Sequence, residues 1–193
     1  AVTLFVIENE LFDIMYNDIN LFIKKLNKNP IEFIFNDDNM ISEIYLNKKN
    51  IEKEINSLEI SKMVSKVAAI PKIRKEMVKI QRDVDRKNGV VMDGRDIGSI
   101  VFPDADIKLF LTASSEVRAK RRYNEMIKNG EIVQYKDVLS NIKERDMLDS
   151  SRKDSPLIIE KNATVIDNSH MSIKEQLIKI SSIIDKKLNN YLQ

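Results

Sequence analysis

The sequence predicts an α/β protein with a parallel sheet and a small β-hairpin and helical insertion. Three short apolar runs bounded by Gly, Pro and Asp, at Val90–Asp93, Ile107–Ala113 and Ala163–Ser169, have the length and continuity of strands covered on both faces. Helical periodicity fills the intervals between the later runs, the pattern of a parallel sheet assembled from β–α units. A separate pair of β-rich runs, IEFIF and SEIYLN, flanks the turn-forming NDDNM and reads as a hairpin standing apart from that sheet.

In order, the chain opens on a helical pattern carried by Val2, Leu4, Phe5, Ile7, Leu11, Phe12, Ile14 and Met15. A short helix around Ile19–Leu26 follows, and NKNP breaks it at Pro30. After the hairpin, Leu58–Ile70 is helical in pattern; Pro71 then stands at a natural first helical position, and a second helix runs to about Lys87, where KNG stops it. Beyond the strands at Val90–Asp93 and Ile107–Ala113, helices are predicted from Ser115 to about Lys128, ending at Asn129-Gly130, and from Tyr135 to about Ser150. The strand at Ala163–Ser169 and a helix over Ser172–Leu188 close the chain, with no internal repeat and no low-complexity segment.

At 193 residues the chain is long enough for one ordinary domain with an insertion and for a real apolar core. Lys plus Arg number 32 against 30 Asp plus Glu, so the formal charge of +2 provides no global field for a nucleic acid or an anionic membrane, and any anion site must be local. The absence of cysteine rules out a disulfide framework and thiolate metal sites and agrees with a reducing cytoplasm. No apolar run approaches the roughly 18 residues of a spanning helix, and no charged segment followed by an apolar one opens the chain, so a cytoplasmic protein is expected.

Three of the four glycines fall within GVVMDGRDIGSIVFPDADIKLFLTA, Gly89–Ala113. Open α/β sheets place ligands in tight loops at the C-terminal ends of parallel strands, and DGRDIG occupies such a position. Gly94 lets the backbone turn sharply after Asp93, Arg95 offers a planar fork of donors suited to phosphate, and ionised Asp96 can only accept. The plain alternative is a β-turn carrying a surface Arg–Asp ion pair.

Further along, IKERDMLDSSRKDSP sets Arg145, Asp149 and Arg152 at i, i+4 and i+7, on one face of a helix continuing through or just past Ser150. Such a trio is either a solvated ion-pair stripe or a site where sugar hydroxyls donate to the carboxylate and phosphates pair with the guanidinium forks. SSEVRAKRRYNEM brings Arg118, Lys120, Arg121 and Arg122, with Arg118 and Arg122 one helical turn apart. That segment reads as an exposed basic helix, a weak RNA contact or a lid closing over a phosphate site.

Taken together, SKVAAIPKIR, VVMDGRDIGSIVFPDADIKLFLTASSEVRAKRRY, IKERDMLDSSR and ATVIDNSHMSIKEQL resemble the bacterial cytidylate kinase family, in order from about Ala1 to the C-terminal helix. The resemblance implies a three-layer P-loop nucleoside-monophosphate kinase fold. Its core would be residues 1–30 and 88–193, including a lid over about 114–134, and residues 31–87 would form the monophosphate-binding insertion. The activity implied is transfer of the γ-phosphoryl of ATP to CMP or dCMP with Mg²⁺, giving CDP or dCDP and ADP. The resemblance further implies a cytoplasmic monomer with no nucleic-acid or membrane partner.

Carried over position by position, Ser65, Arg74 and Asp96 resemble the cytosine readers, and Arg95 resembles the residue that grips the CMP phosphate. Arg145, Asp149 and Arg152 resemble the sugar and phosphate contacts, and Asp93 the acid that holds Mg²⁺ through water. Arg118 and Arg122 are similar to lid arginines, one against adenine and one on the phosphates, with Arg121 a rival for the latter role.

A P-loop requires G-x-x-x-x-G-K-[ST], which these 193 residues do not contain; GVVMDGRD has the glycine spacing but neither the Lys nor the hydroxyl residue. In the family, that loop and the first two sheet strands precede the point matching Ala1, and this chain starts without Met inside an apolar periodic segment. The expectation is therefore a natural protein longer at its N-terminus, with the N-terminal strands absent from this chain and the chain alone inactive. Asn56 is a smaller departure, standing where relatives usually carry Arg.

Two rival functions accompany this reading: a non-catalytic nucleotide-binding or regulatory module that keeps the CMP pocket, and an RNA-binding domain using Arg118 to Arg122. The near-neutral composition and the lack of clustered aromatic platforms weigh against the second. His170, the one histidine, reads as a loop or cap residue.

Overall fold

The apolar pattern at the head of the chain folds as two short helices rather than one in the computed structural model, which describes residues 1–36, 41–84 and 89–191. Helices α1 (Val2–Glu8) and α2 (Phe12–Asn17) are separated where Glu8, Asn9 and Glu10 leave no apolar side chain to bury, and Glu10 adopts a left-handed φ of 52°. The Asn9 amide donates to the Phe5 carbonyl at 2.9 Å, satisfying a helix-end acceptor. Helix α3 (Ile19–Leu26) starts at Asp18, whose carboxylate accepts from Leu21 N–H at 3.0 Å.

Strands β1 (Ile31–Asn36) and β2 (Ile41–Leu46) pair antiparallel from Ile31↔Leu46 to Asn36↔Ile41, which is the expected hairpin; residues 37–40 of its turn lie outside the described residues. Strand β3 (Lys49–Asn50) adds to β2 through Asn47 and Lys48, both at positive φ (51° and 65°) as a two-residue type I′ turn requires. This turn lacks the usual glycine, so its signal in the sequence is faint.

Helices α4 (Glu52–Ile55), α5 (Leu58–Ala68) and α6 (Pro71–Arg82) follow, with Ser57 capping α5 and Pro71 at the start of α6. The expected end of α6 near Lys87 lies outside the described residues.

Contacts among Cα atoms divide the chain into two units, Ala1–Met92 with Met147–Asp154 and Asp93–Asp146 with Ser155–Gln193. The first has a core of buried residues from α1, α2, α3, β2, α5 and α6, centred on Phe22, Met15, Ile51 and Ile73, with the Phe5 and Phe22 rings 6.3 Å apart.

In the second unit, β4 (Leu109–Thr112) and β5 (Thr164–Asp167) pair in parallel, register Leu109↔Thr164 to Thr112↔Asp167. Helices α7 (Ser115–Lys128) and α8 (Tyr135–Ser151) lie between them in sequence, and α9 (Ile173–Tyr191) follows β5. Ile166, Val101, Ala119, Met126 and Val138 are its fully buried apolar residues.

The expected strand at Val90–Asp93 does not form: those residues have no ladder partner, and Val91 is fully exposed. An apolar run becomes a strand only when a neighbour supplies its inter-strand hydrogen bonds, and among the described residues no strand pairs with it.

Two outcomes follow from these elements. Phe22→Ala removes a side chain that is 0% exposed and should cost about 3–5 kcal/mol, read as a lower urea midpoint at unchanged slope. At the start of α9, Ser172 N–H and Oγ donate to Glu175 Oε2 at 2.8 and 2.7 Å, while Glu175 N–H donates to Ser172 Oγ at 3.2 Å, a reciprocal capping box. The backbone and then the hydroxyl bond of Ser172 hold the Glu175 carboxyl below its ordinary value of 4.5. With the folded value depressed, the cap's contribution is complete above 4.5 and is lost as pH falls through the folded value. Protection factors in the first turn of α9, taken against the intrinsic exchange rate at each pH, should therefore fall on acidification, and Glu175→Gln should abolish that pH dependence.

Candidate functional site

Gly94 follows Asp93 at the head of the predicted ligand loop, and the structure gives a different reason for a glycine there. A Cβ at residue 94 would stand 2.8 Å from Ile97 Cγ1, so glycine is required for the close approach of Ile97, while the positive-φ glycines are Gly89 and Gly130. Ile97–Val101 then form a single π-helical turn, a form that recurs at functional sites.

That turn converges on the Asp96 carbonyl, which accepts from Ile100 N–H at 2.9 Å, Val101 N–H at 3.2 Å and Ser99 Oγ at 3.4 Å. Asp96 is 9% exposed and Arg95 half-buried, whereas Asp93 is exposed. A loose surface turn would leave Asp96 in water; this one holds it inside.

In the first unit, residues far apart in sequence come together. Ser65 on α5 is buried and donates from Oγ to Asp149 Oδ1 at 3.3 Å, across 84 residues of chain. Arg152, just past the end of α8, donates from NH1 to the same oxygen at 3.2 Å. The Asp149 and Arg152 side chains are 5% and 8% exposed, so this pair is not a solvated stripe. Arg74 on α6 donates from Nε to the Ala68 carbonyl at 3.1 Å, tying α6 to the end of α5.

The arginines of α7 differ sharply in how they are held. Arg118 lays both terminal nitrogens on Asp146, at 2.9 and 2.6 Å, and donates from Nε to the Ala113 carbonyl at 2.9 Å and from NH2 to Ser115 Oγ at 3.4 Å. This bidentate fork occupies most of its donor edge while the side chain stays about one-third exposed (32%).

Arg121 grips Asn168 twice, NH1 on the side-chain oxygen at 2.8 Å and NH2 on the backbone carbonyl at 2.7 Å. Asn168 is itself buried, donating to Gln176 Oε1 at 2.6 Å and from its N–H to the Thr112 carbonyl at 2.8 Å. Arg121 thus fastens α7 to the C-terminal end of the parallel ladder. Arg122 pairs with Glu125 at 3.0 Å, one turn along the helix, and Arg145 is half-buried on α8.

Asp146, Asn168 and Gln176 are the polar partners that the sequence reading did not single out. Asp146 is adjacent to Arg145 in ERD, and Asn168 follows the predicted strand directly, but no local pattern ties either to an arginine 28 or 47 residues away. Around the same strand end, the Ser169 side chain and then its N–H, which donates to Asp167 at 2.8 Å, hold the carboxyl of exposed Asp167 below the ordinary range. Among the described residues no group of three His, Cys, Asp or Glu side chains could enclose a metal ion, and no helix is long and apolar enough to cross a membrane.

Comparison with known proteins adds an independent finding. The family model described as cytidylate kinase matches residues 1–186. The cytidylate kinase of Flavobacterium psychrophilum is 43% identical over 185 residues, covering 96% of this chain and 82% of that protein. That of Parabacteroides distasonis is 44% identical over 179 residues, covering 91% and 77%, and that of Cytophaga hutchinsonii 43% over 163 residues, covering 84% and 70%.

The buried Asp149–Arg152 pair has a measurable consequence for stability. Asp149→Ala removes the carboxylate that Arg152 faces inside the protein and should cost about 3 kcal/mol by chemical denaturation. Replacing both partners by apolar residues, Asp149→Leu with Arg152→Met, should recover most of that loss, because the burial cost of both charges disappears together.

Proposed function

The chain belongs to the cytidylate kinase family, and we propose that within it this protein transfers the γ-phosphoryl group of ATP to CMP or dCMP. The observation that carries this reading is the buried Ser65–Asp149–Arg152 cluster, which joins a candidate base reader on α5 to a candidate sugar and phosphate contact at the end of α8. The alternative of a non-catalytic module that keeps a CMP pocket is not favoured by the family.

The residues divide by the chemistry of the nucleotide. Cytosine presents an N4 amino donor beside the N3 and O2 acceptors, so the Asp96 carboxylate accepts from N4 while Arg74 and Ser65 donate to the other two, the single Ser65 O–H turning from Asp149 to the base. Asp149 accepts from sugar hydroxyls, and Arg95, Arg145 and Arg152 balance phosphate charge.

Arg118 and Arg122 serve the donor nucleotide. Arg121 is a rival of these two for the phosphate role, and its bonds to Asn168 hold α7 in place. Residues 31–87 act as the monophosphate-binding insertion and about 114–134 as the lid, in a cytoplasmic monomer.

Phosphoryl transfer asks for positioning and charge compensation more than for covalent chemistry, which accounts for candidates that are mostly arginines. Bound Mg²⁺ would supply charge neutralisation on the transferred phosphates, and the protein would need to hold it only through water. A lone exposed carboxylate such as Asp93 suits that ion through water, as a caged site of several acids would not.

The test is base preference. UMP turns a carbonyl oxygen toward the Asp96 carboxylate, leaving acceptor against acceptor at a cost of about 1–3 kcal/mol. In the intact gene product, Asp96→Ala should lower the CMP-to-UMP ratio of kcat/KM by about tenfold or more. An unchanged ratio removes Asp96 from base reading.

A further inference from the structure

Lys108, just before β4, is buried, its side chain 7% exposed, and no step proposed above uses it. Its backbone carbonyl accepts from Thr164 N–H at 2.9 Å, so the residue is anchored at the start of the parallel ladder. Its ammonium Nζ lies 3.8 Å from Glu160 Oε2, too far for a hydrogen bond but close enough for the two charges to compensate.

Between those two ends the aliphatic stem runs against Gly98: a Cβ placed at residue 98 would stand 3.3 Å from Lys108 Cδ and 3.5 Å from Cγ. Gly98 sits inside the π-helical turn, and that turn converges on the carbonyl of Asp96. A continuous chain of contacts therefore runs from the ladder through the lysine stem to the backbone of Asp96.

We infer that Lys108 is a positioning residue for base recognition: its stem, laid over Gly98, seats the π-helical turn that presents Arg95 and Asp96. The inference rests on the reading of Asp96 as a cytosine contact and assigns a residue outside the nucleotide site to the accuracy of that contact. A long unbranched stem fits because it crosses the glycine without a branch and carries its charge to the half-buried Glu160. The packing depends on the methylenes, and the charge only needs compensation.

The experiment measures kcat and KM with CMP and with UMP for the intact protein and for Lys108→Ala, Lys108→Met and Asp96→Ala, together with the KM for ATP and the thermal midpoint. Lys108→Ala should raise the KM for CMP and lower the CMP-to-UMP ratio of kcat/KM by about tenfold, with the KM for ATP unchanged. Lys108→Met keeps the stem and should retain the parent ratio.

A Lys108→Ala protein whose midpoint and kcat fall for both nucleotides at an unchanged ratio would overturn the inference, leaving Lys108 a stability residue. If Asp96→Ala shifts the ratio and Lys108→Ala does not, the inference alone falls. If neither shifts it, the base reading falls as well. Should Lys108→Ala fail to fold, Gly98→Ala strains the same contact from the other side and should lower the ratio by about threefold; an unchanged ratio there is equally decisive.

Discussion

Every backbone N–H and C=O that leaves water must find a partner, and in the second unit that requirement is met by the parallel pairing of β4 with β5. The bonds that extend this ladder lie at its two ends. Lys108 O accepts from Thr164 N–H before the first pair, and Thr112 O accepts from Asn168 N–H after the last. Both flanking residues then direct their side chains outward, Lys108 to the turn that holds Asp96 and Asn168 to Arg121 of α7. The ladder is short, yet the turn and the arginine helix are both referred to it.

The first unit relies on a different device. Its apolar core is continuous from α1 to α6, and beside it the Asp149–Arg152 pair is taken almost wholly out of water. Such a pair adds little net stability, because desolvation offsets the attraction, but it fixes geometry: one oxygen of Asp149 answers both Ser65 and Arg152. On the proposed reading of these two residues as nucleotide contacts, a pre-set carboxylate beside a pre-set guanidinium costs less to organise than two mobile side chains would.

The α7 arginines show how little a basic segment says about its own use. Three guanidiniums within five residues look alike in sequence. One is held by a carboxylate fork on α8, one by a buried amide at the end of β5, and one faces a glutamate on its own helix. Only the last of these is the ordinary surface pairing that the spacing alone would indicate.

Periodicity and turn chemistry determined the helices α3, α5, α7, α8 and α9, the hairpin of β1 with β2 and the two strands that pair in parallel, since each is specified by residues within a few positions of one another. Residue type and spacing likewise singled out Arg95, Asp96, Asp149 and Arg152, because chemistry limits which side chains can serve phosphate and pyrimidine. The break between α1 and α2 was half legible in the polar run Glu8–Glu10. Tertiary structure alone decided that Val90–Asp93 is no strand, that a π-helical turn follows Asp96, and that Asp146 and Asn168 hold arginines. The reason is common to all three: a strand partner, a neighbour pressed against a glycine and a hydrogen bond across dozens of residues are relations between distant parts of the chain, and no local pattern contains them.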